Sequence, residues 1–242
     1  MKKFRDVFYV ISGGESEITY YGMDFKEFIE IVPEKIQNIL MLKGDANIGN
    51  YSNKCNFEII EGEAETKNLA AQDTYGYGDF CFVDYEKAGM AETLTPTEVS
   101  ELLYLSHIYK PLKSPFFNHI NNKYAYLAHD DGWFCRLFCR NRSDTAEIIS
   151  NKILNTASVV SGKHQFSINN NLKIRLLEIA KKGLLVDFSD AKKDKTTLEL
   201  SLYAIGNFLD MDEMYNNLDE HKKKAEFKGK LIMGDEGTVL LS

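Results

Sequence analysis

A chain of 242 residues is long enough to bury a full hydrophobic core without disulfide or metal support, as one large domain or two modest ones. Its 44% hydrophobic and 27% charged residues are the balance of a globular protein, and no run approaches the ~20 apolar residues that a membrane span needs. The formal net charge of -7 weighs against nucleic acid, a long polyanion, as the partner of the surface as a whole.

In chain order, residues 4–11 read as a strand rich in Phe, Val, Tyr and Ile, turned at Ser12-Gly13-Gly14 into a returning strand over 18–21. No helix or Lys-Ser/Thr follows the glycine pair, so a turn is favoured over a phosphate loop. Asp24 is placed to cap a helix over 25–31. Pro33 suits the first position of a second helix over 34–42, closed by Gly44. Residues 45–53 read as a loop, 55–60 as a strand, 61–68 as a charged, solvated loop, and 77–85 as a further strand. Thr95-Pro96-Thr97-Glu98 carries the full start signal of a helix running to about Ile108: a capping hydroxyl, Pro at the first position and Glu at the third.

The run NNKYAYLAHDDGWFCRLFCRNR, 121–142, reads as two alternating, aromatic-rich strands folded back at Asp131-Gly132. Helices are expected from Asp144 to Gly162 and from Asn171 to Gly183, strands over 184–188 and 197–205, and one helix from Asp210 to about Phe227. A closing hairpin surrounds Gly234-Asp235-Glu236-Gly237. Short turns between strands, with helices in groups, predict an α+β fold: antiparallel sheets built from hairpins and packed with about five or six helices. A break near 89–93 would separate an N-terminal α+β subdomain, 1–92, from a C-terminal one, 93–242, unless the chain forms one continuous domain.

Four cysteines, Cys55, Cys81, Cys135 and Cys139, are too few and too scattered for a disulfide framework. The N-terminal apolar run is broken by Arg5 and Asp6 and lacks the small-residue cleavage site of a signal peptide. A reduced, cytoplasmic protein is expected. Along a strand Cys135 and Cys139 share a face about 13 Å apart, beyond the reach of a shared zinc ion or a disulfide, so buried thiols are the expectation.

His129-Asp130-Asp131 at the bend is the sharpest chemical feature. With a two-residue turn His129 stands opposite Phe134 and shares a face with Leu127, Arg136, Phe138 and Arg140, a basic and aromatic surface suited to an anionic or planar ligand. With a three-residue turn His129 faces Trp133 and joins the core. The candidate ligand-binding residues are therefore His129, Asp130, Asp131, Tyr124, Tyr126, Arg136 and Arg140. An alternative reading makes His129 and Asp130, with His107 and His119, the ligands of a metal-dependent phosphoester hydrolase. The bland reading weighs more: Asp-rich turns are common for local hydrogen-bonding reasons. Arginines interleaved with aromatics suggest a nucleic-acid platform, but no ribonucleoprotein signature is present.

No serine-hydrolase elbow, zinc-protease helix, nucleotide loop or dinucleotide fingerprint occurs. The expectation is a binding or accessory protein that associates with a partner protein or a small ligand, needs no cofactor, and performs no catalysis of its own. Self-association through an exposed strand edge, such as the C-terminal hairpin, is the third reading.

Overall fold

The computed structural model describes residues 6–14, 16–44, 48–75, 78–129, 132–162, 166–194, 196–234, 237 and 239–242. β1 (Val7–Ser12) and β2 (Glu17–Tyr21) form the expected N-terminal hairpin, with Tyr9 opposite Tyr21. α1 (Phe25–Ile31) begins at Asp24, whose carboxylate accepts from the Glu27 amide while the Glu27 side chain accepts from the Asp24 amide. The helix expected over 34–42 is instead β3 (Asn38–Lys43). Ile39, Leu40 and Met41 make a continuous apolar run and are all buried, as a strand covered on both faces requires, and β3 is paired on its two edges by β5 and β6.

β4 (Asn50–Ser52) and β5 (Phe57–Glu61) follow. The stretch expected as a solvated loop is α2 (Glu63–Ala70). Glu, Ala, Lys and Leu are strong helix formers, Glu63 and Glu65 lie at the positive end of the helix, and Glu63 pairs with Lys67 one turn on at 2.8 Å. After β6 (Phe80–Tyr85) and a short 3-10 turn, Met90–Thr93, α3 (Pro96–Ile108) starts with both halves of the capping box formed by Thr95 and Glu98. β7 (Tyr124–His129) and β8 (Phe134–Cys139) flank the predicted bend.

Next come α4 (Arg142–Ser161), α5 (Asn170–Ala180), β9 (Leu184–Asp187), the two-residue β10 (Lys192–Lys193) and β11 (Thr197–Ala204). The single helix expected over 210–227 is two, α6 (Met211–Asn216) and α7 (Leu218–Lys224). Phe227 belongs to β12 (Glu226–Gly234), which turns into β13 (Val239–Leu241). Gly229, Leu231 and Met233 alternate inward along β12, and its pairing with β11 over the whole length of that strand outweighs local helix propensity. The fold is α+β, with antiparallel hairpin sheets and seven α-helices among the described residues. None of these helices is long and apolar enough to cross a membrane.

The chain forms two compact units, one from residues 1–23 with 145–242 and the other from 24–144. The break expected near 89–93 falls inside the second unit, where the 3-10 turn and α3 share one core with β6. In the first unit the strands run β13-β12-β11-β9-β1-β2, with β10 on β11, and α5 packs on β1, β9 and β11. Gly183 precedes β9 with φ 73, and a Cβ there would sit 1.8 Å from the Gly206 carbonyl oxygen, so only glycine fits. In the second unit the order is β8-β7-β6-β3-β5-β4.

Both faces of the second sheet are covered. On one, Phe25 and Phe28 of α1 meet Phe80, Phe82, Tyr124 and Tyr126, with Phe28 5.1 Å from Tyr126 ring to ring. On the other, Val99, Leu102 and Leu105 of α3 join Leu40, Cys81, Val83, Leu127 and Phe138 in one buried cluster. A sheet sandwiched this way leaves its ligand-binding options to its edges and to the grooves between helices.

Candidate functional site

β7 and β8 pair with Tyr124 opposite Cys139 and His129 opposite Phe134. Of the two registers open to the sequence, this is the one that sets His129 on the face of Leu127, Arg136 and Phe138. Asp130 and Asp131 lie outside the described residues. Gly132 has φ 78, and a Cβ there would press to 2.8 Å on the Tyr75 ring, so the bend requires glycine.

The face that this register builds is roofed by the C-terminal end of α3. His129 is buried, its ring stacked on Phe134 at 4.8 Å and met edge-on by Tyr109 at 3.7 Å. Arg136 donates from Nη1 to the Tyr109 carbonyl at 2.8 Å. The Tyr109 hydroxyl donates to Asp79 and accepts from Lys43 Nζ at 3.0 Å, and Lys43 pairs with Asp79 at 2.5 Å. Burial drops the His129 pKa to about 4, with Asp79 opposing and Arg136 and Lys43 adding to the drop. Its hydrogen bond to Asp79 pushes the Lys43 ammonium above the usual lysine range. The imidazole is therefore neutral at pH 7 and enclosed, while the Lys43–Asp79–Tyr109 triad closes the cluster on the solvent side.

The other candidate residues are placed elsewhere. Tyr124 and Tyr126 are fully buried core residues beneath α1. The Tyr124 hydroxyl donates to Asp144 at 3.1 Å, and the Tyr126 hydroxyl lies 2.7 Å from that of Tyr75. Arg140 donates to the Asn122 carbonyl at 2.7 Å and lies over the Phe116 ring, fastening the loop before β7. Cys135 and Cys139 are buried thiols outside any disulfide, as are Cys55 and Cys81. His107 is exposed on the last turn of α3, and His119 bonds Glu98 at 2.8 Å. Among the described residues no group of three His, Cys, Asp or Glu side chains is gathered to hold a metal ion, so His107, His119 and His129 do not converge. Alternation marks which residues share a face, but it does not say that helices cover both faces.

An open concavity lies instead along the β4 edge. No described strand pairs with the far side of β4, and a groove of about 650 Å³ runs beside it, lined by Tyr51, Glu61, Glu65, Gly89 and Glu92. Tyr51 is 63% exposed. Glu61 is held in place by the Tyr85 hydroxyl and the Gly89 amide, each donating at 2.8 Å, and Glu92 pairs with Lys54. Residues 24–144 hold 19 of the 36 acidic and 12 of the 29 basic residues. The whole formal charge of -7 is thus carried by this unit, and the other is balanced. The acidic run Glu58, Glu61, Glu63 and Glu65 is the signal of this edge in the sequence, and it is divided there between β5 and α2.

Together these features define an α+β protein with a closed core and an open, acidic strand edge. Comparisons of the chain with protein families, with curated proteins and with solved structures find no match.

Proposed function

We propose that the protein is a cytoplasmic binding protein that works by association, without catalysis of its own, and that residues 24–144 take an extended, basic segment of a partner protein along β4. The observation that carries this reading is the coincidence of an unpaired strand edge with a groove lined by three glutamates, in the unit that holds all the net charge. An added strand satisfies the edge amides and carbonyls, and its side chains on one face reach the groove. Lys or Arg at alternate positions then meets Glu65 and Glu92, and Tyr51 supplies an aromatic surface for an arginine plane or an aliphatic stem. Four buried thiols outside any disulfide support the reducing compartment.

The test is fluorescence anisotropy with labelled extended peptides of alternating Lys or Arg, set against peptides of the same length with Glu at those positions. Saturable binding that weakens with salt and falls at least tenfold in Glu65→Lys supports the reading. Equal binding of the two peptides, or an affinity unmoved by Glu65→Lys and Tyr51→Pro, would remove it. At the other unit's edge, β13 presents Leu240 at 65% exposure, which supports pairing between copies of the chain. Light scattering that returns a monomer at high concentration would dispose of that second reading.

A further inference from the structure

A second concavity belongs to the same unit, and its floor is apolar where the β4 groove is acidic. Residues of α1, of α2 and of the segment that links α1 to β3 line a groove of about 500 Å³. Its floor is Val32, Ile36 and Ala70, all buried, with Ile29 and Pro33 along one wall. Thr66, the one buried polar side chain in the lining, is already satisfied by donating to the Gln37 carbonyl at 3.1 Å, so the floor asks for no polar partner. A volume of this size, apolar on its buried floor with charged side chains in its exposed lining, is the ordinary form of a small-molecule site.

The mouth specifies the ligand's charge. Lys35 and Lys67 both pair with the single carboxylate of Glu63, at 3.2 and 2.8 Å. Each ammonium has three donors, so donors remain on both after that contact. Lys26 and Glu30, one helical turn apart on α1, add one charge of each sign. The rim therefore carries three cations against two anions and is one anion short of balance, above a floor that is hydrocarbon.

We propose that this groove binds an amphipathic carboxylate, a medium-chain acyl anion, with its chain along Val32, Ile36 and Ala70 and its carboxylate between Lys35 and Lys67. The ligand carboxylate completes a square of alternating charge with Glu63. This function is independent of the peptide edge, since none of its lining residues belongs to the β4 groove.

Titration calorimetry with dodecanoate, below its micelle concentration, tests the proposal on the full chain. Dodecanol supplies the same tail without the charge, and acetate the charge without the tail. One saturable dodecanoate site per chain is expected, with dodecanol and acetate each at least tenfold weaker. Lys35→Gln with Lys67→Gln should weaken dodecanoate at least tenfold, and both side chains are exposed, so the fold is left intact. Ala71→Trp, at an exposed lining position, should abolish binding by filling the groove. The absence of a saturable site, equal affinity for dodecanol, or indifference to both variants would overturn the proposal. So would a dimer formed through the groove that dodecanoate fails to dissociate.

Discussion

Arg136 donates to the backbone carbonyl of Tyr109 at 2.8 Å, and this bond ties the strand leaving the central hairpin to the residue that ends α3. Tyr109 sits in the left-handed region, φ 56, where a bulky side chain is uncommon. Its conformation is held from three sides, by Arg136 at the carbonyl and by Asp79 and Lys43 at the hydroxyl. Arg136→Met, which keeps the stem and removes the donors, should leave that carbonyl short of a partner and cost about 1–3 kcal/mol in urea denaturation. Tyr109→Phe should cost less, about 1 kcal/mol, because the hydroxyl is only partly withdrawn from solvent.

His129 makes the molecule less stable in acid. Its folded pKa, dropped to about 4 by burial, lies below the ordinary value of 6.5, so the unfolded chain binds the proton more readily. This contribution is complete above about pH 6.5 and is lost as the pH falls toward 4. At about 1.4 kcal/mol per pKa unit, its full size is on the order of 3 kcal/mol. His129→Phe, which retains the stacking on Phe134, should flatten the pH dependence of stability between pH 4 and 6.5. In the unaltered protein the His129 ring signals should not titrate by NMR between pH 5.5 and 8.

Asp84 acts in the opposite sense. It is buried in β6 and accepts the amides of Lys123 and Tyr124 at 2.9 and 2.6 Å. Burial pushes its pKa up to about 7, against those two amides and the nearby Arg140, which favour the charged form. The folded state thus holds the proton more tightly than the unfolded one, and Asp84 lowers stability as the pH rises from about 4 to 7. Asp84→Asn keeps an acceptor and removes the charge. The stability difference between variant and parent should grow in the variant's favour across that window and level off above pH 7. A constant difference from pH 4 to 8, measured by urea denaturation, would contradict the assignment.

In the first unit, Lys222 is more than a cation at the end of a helix. Its ammonium bonds buried Asp187 at 2.8 Å, reaches Asp190, and lies 5.6 Å from the centre of the Tyr203 ring. Lys222→Met would strand the Asp187 carboxylate in the core, at a cost of about 3–5 kcal/mol. Lys223→Met and Lys224→Met, which remove neighbours without such a partner, should change stability by less than about 0.5 kcal/mol. Equal effects at the three positions would return Lys222 to a helix-end role.

The residues legible in the sequence are those whose structure is set by their nearest neighbours. Asp24 with Glu27 and Thr95 with Glu98 mark helix starts, because a capping box needs only four consecutive residues. Gly132 marks the bend and the alternation around it marks two strands, because both follow from local backbone geometry. Ile39, Leu40 and Met41 read as a helix because a continuous apolar run has no period to separate a buried helix from a strand covered on both faces. Residues 61–68 read as a loop, although α2 occupies Glu63–Ala70, because helix propensity in a charged segment gains its packing face only when β3 and β5 lie beneath it.

The fate of the central hairpin's side chains was decided by the tertiary structure alone. Sequence determined that His129, Arg136 and Phe138 share one face in one of two registers, and that Tyr124 and Tyr126 share the other. Only packing selected the register, laid α1 on Tyr124 and Tyr126, and set Tyr109 over His129, turning candidate ligand-binding residues into core. The open grooves depend likewise on which elements meet across long separations in sequence. Local periodicity carries no record of those meetings, since it reports the direction of a side chain and not what lies opposite it.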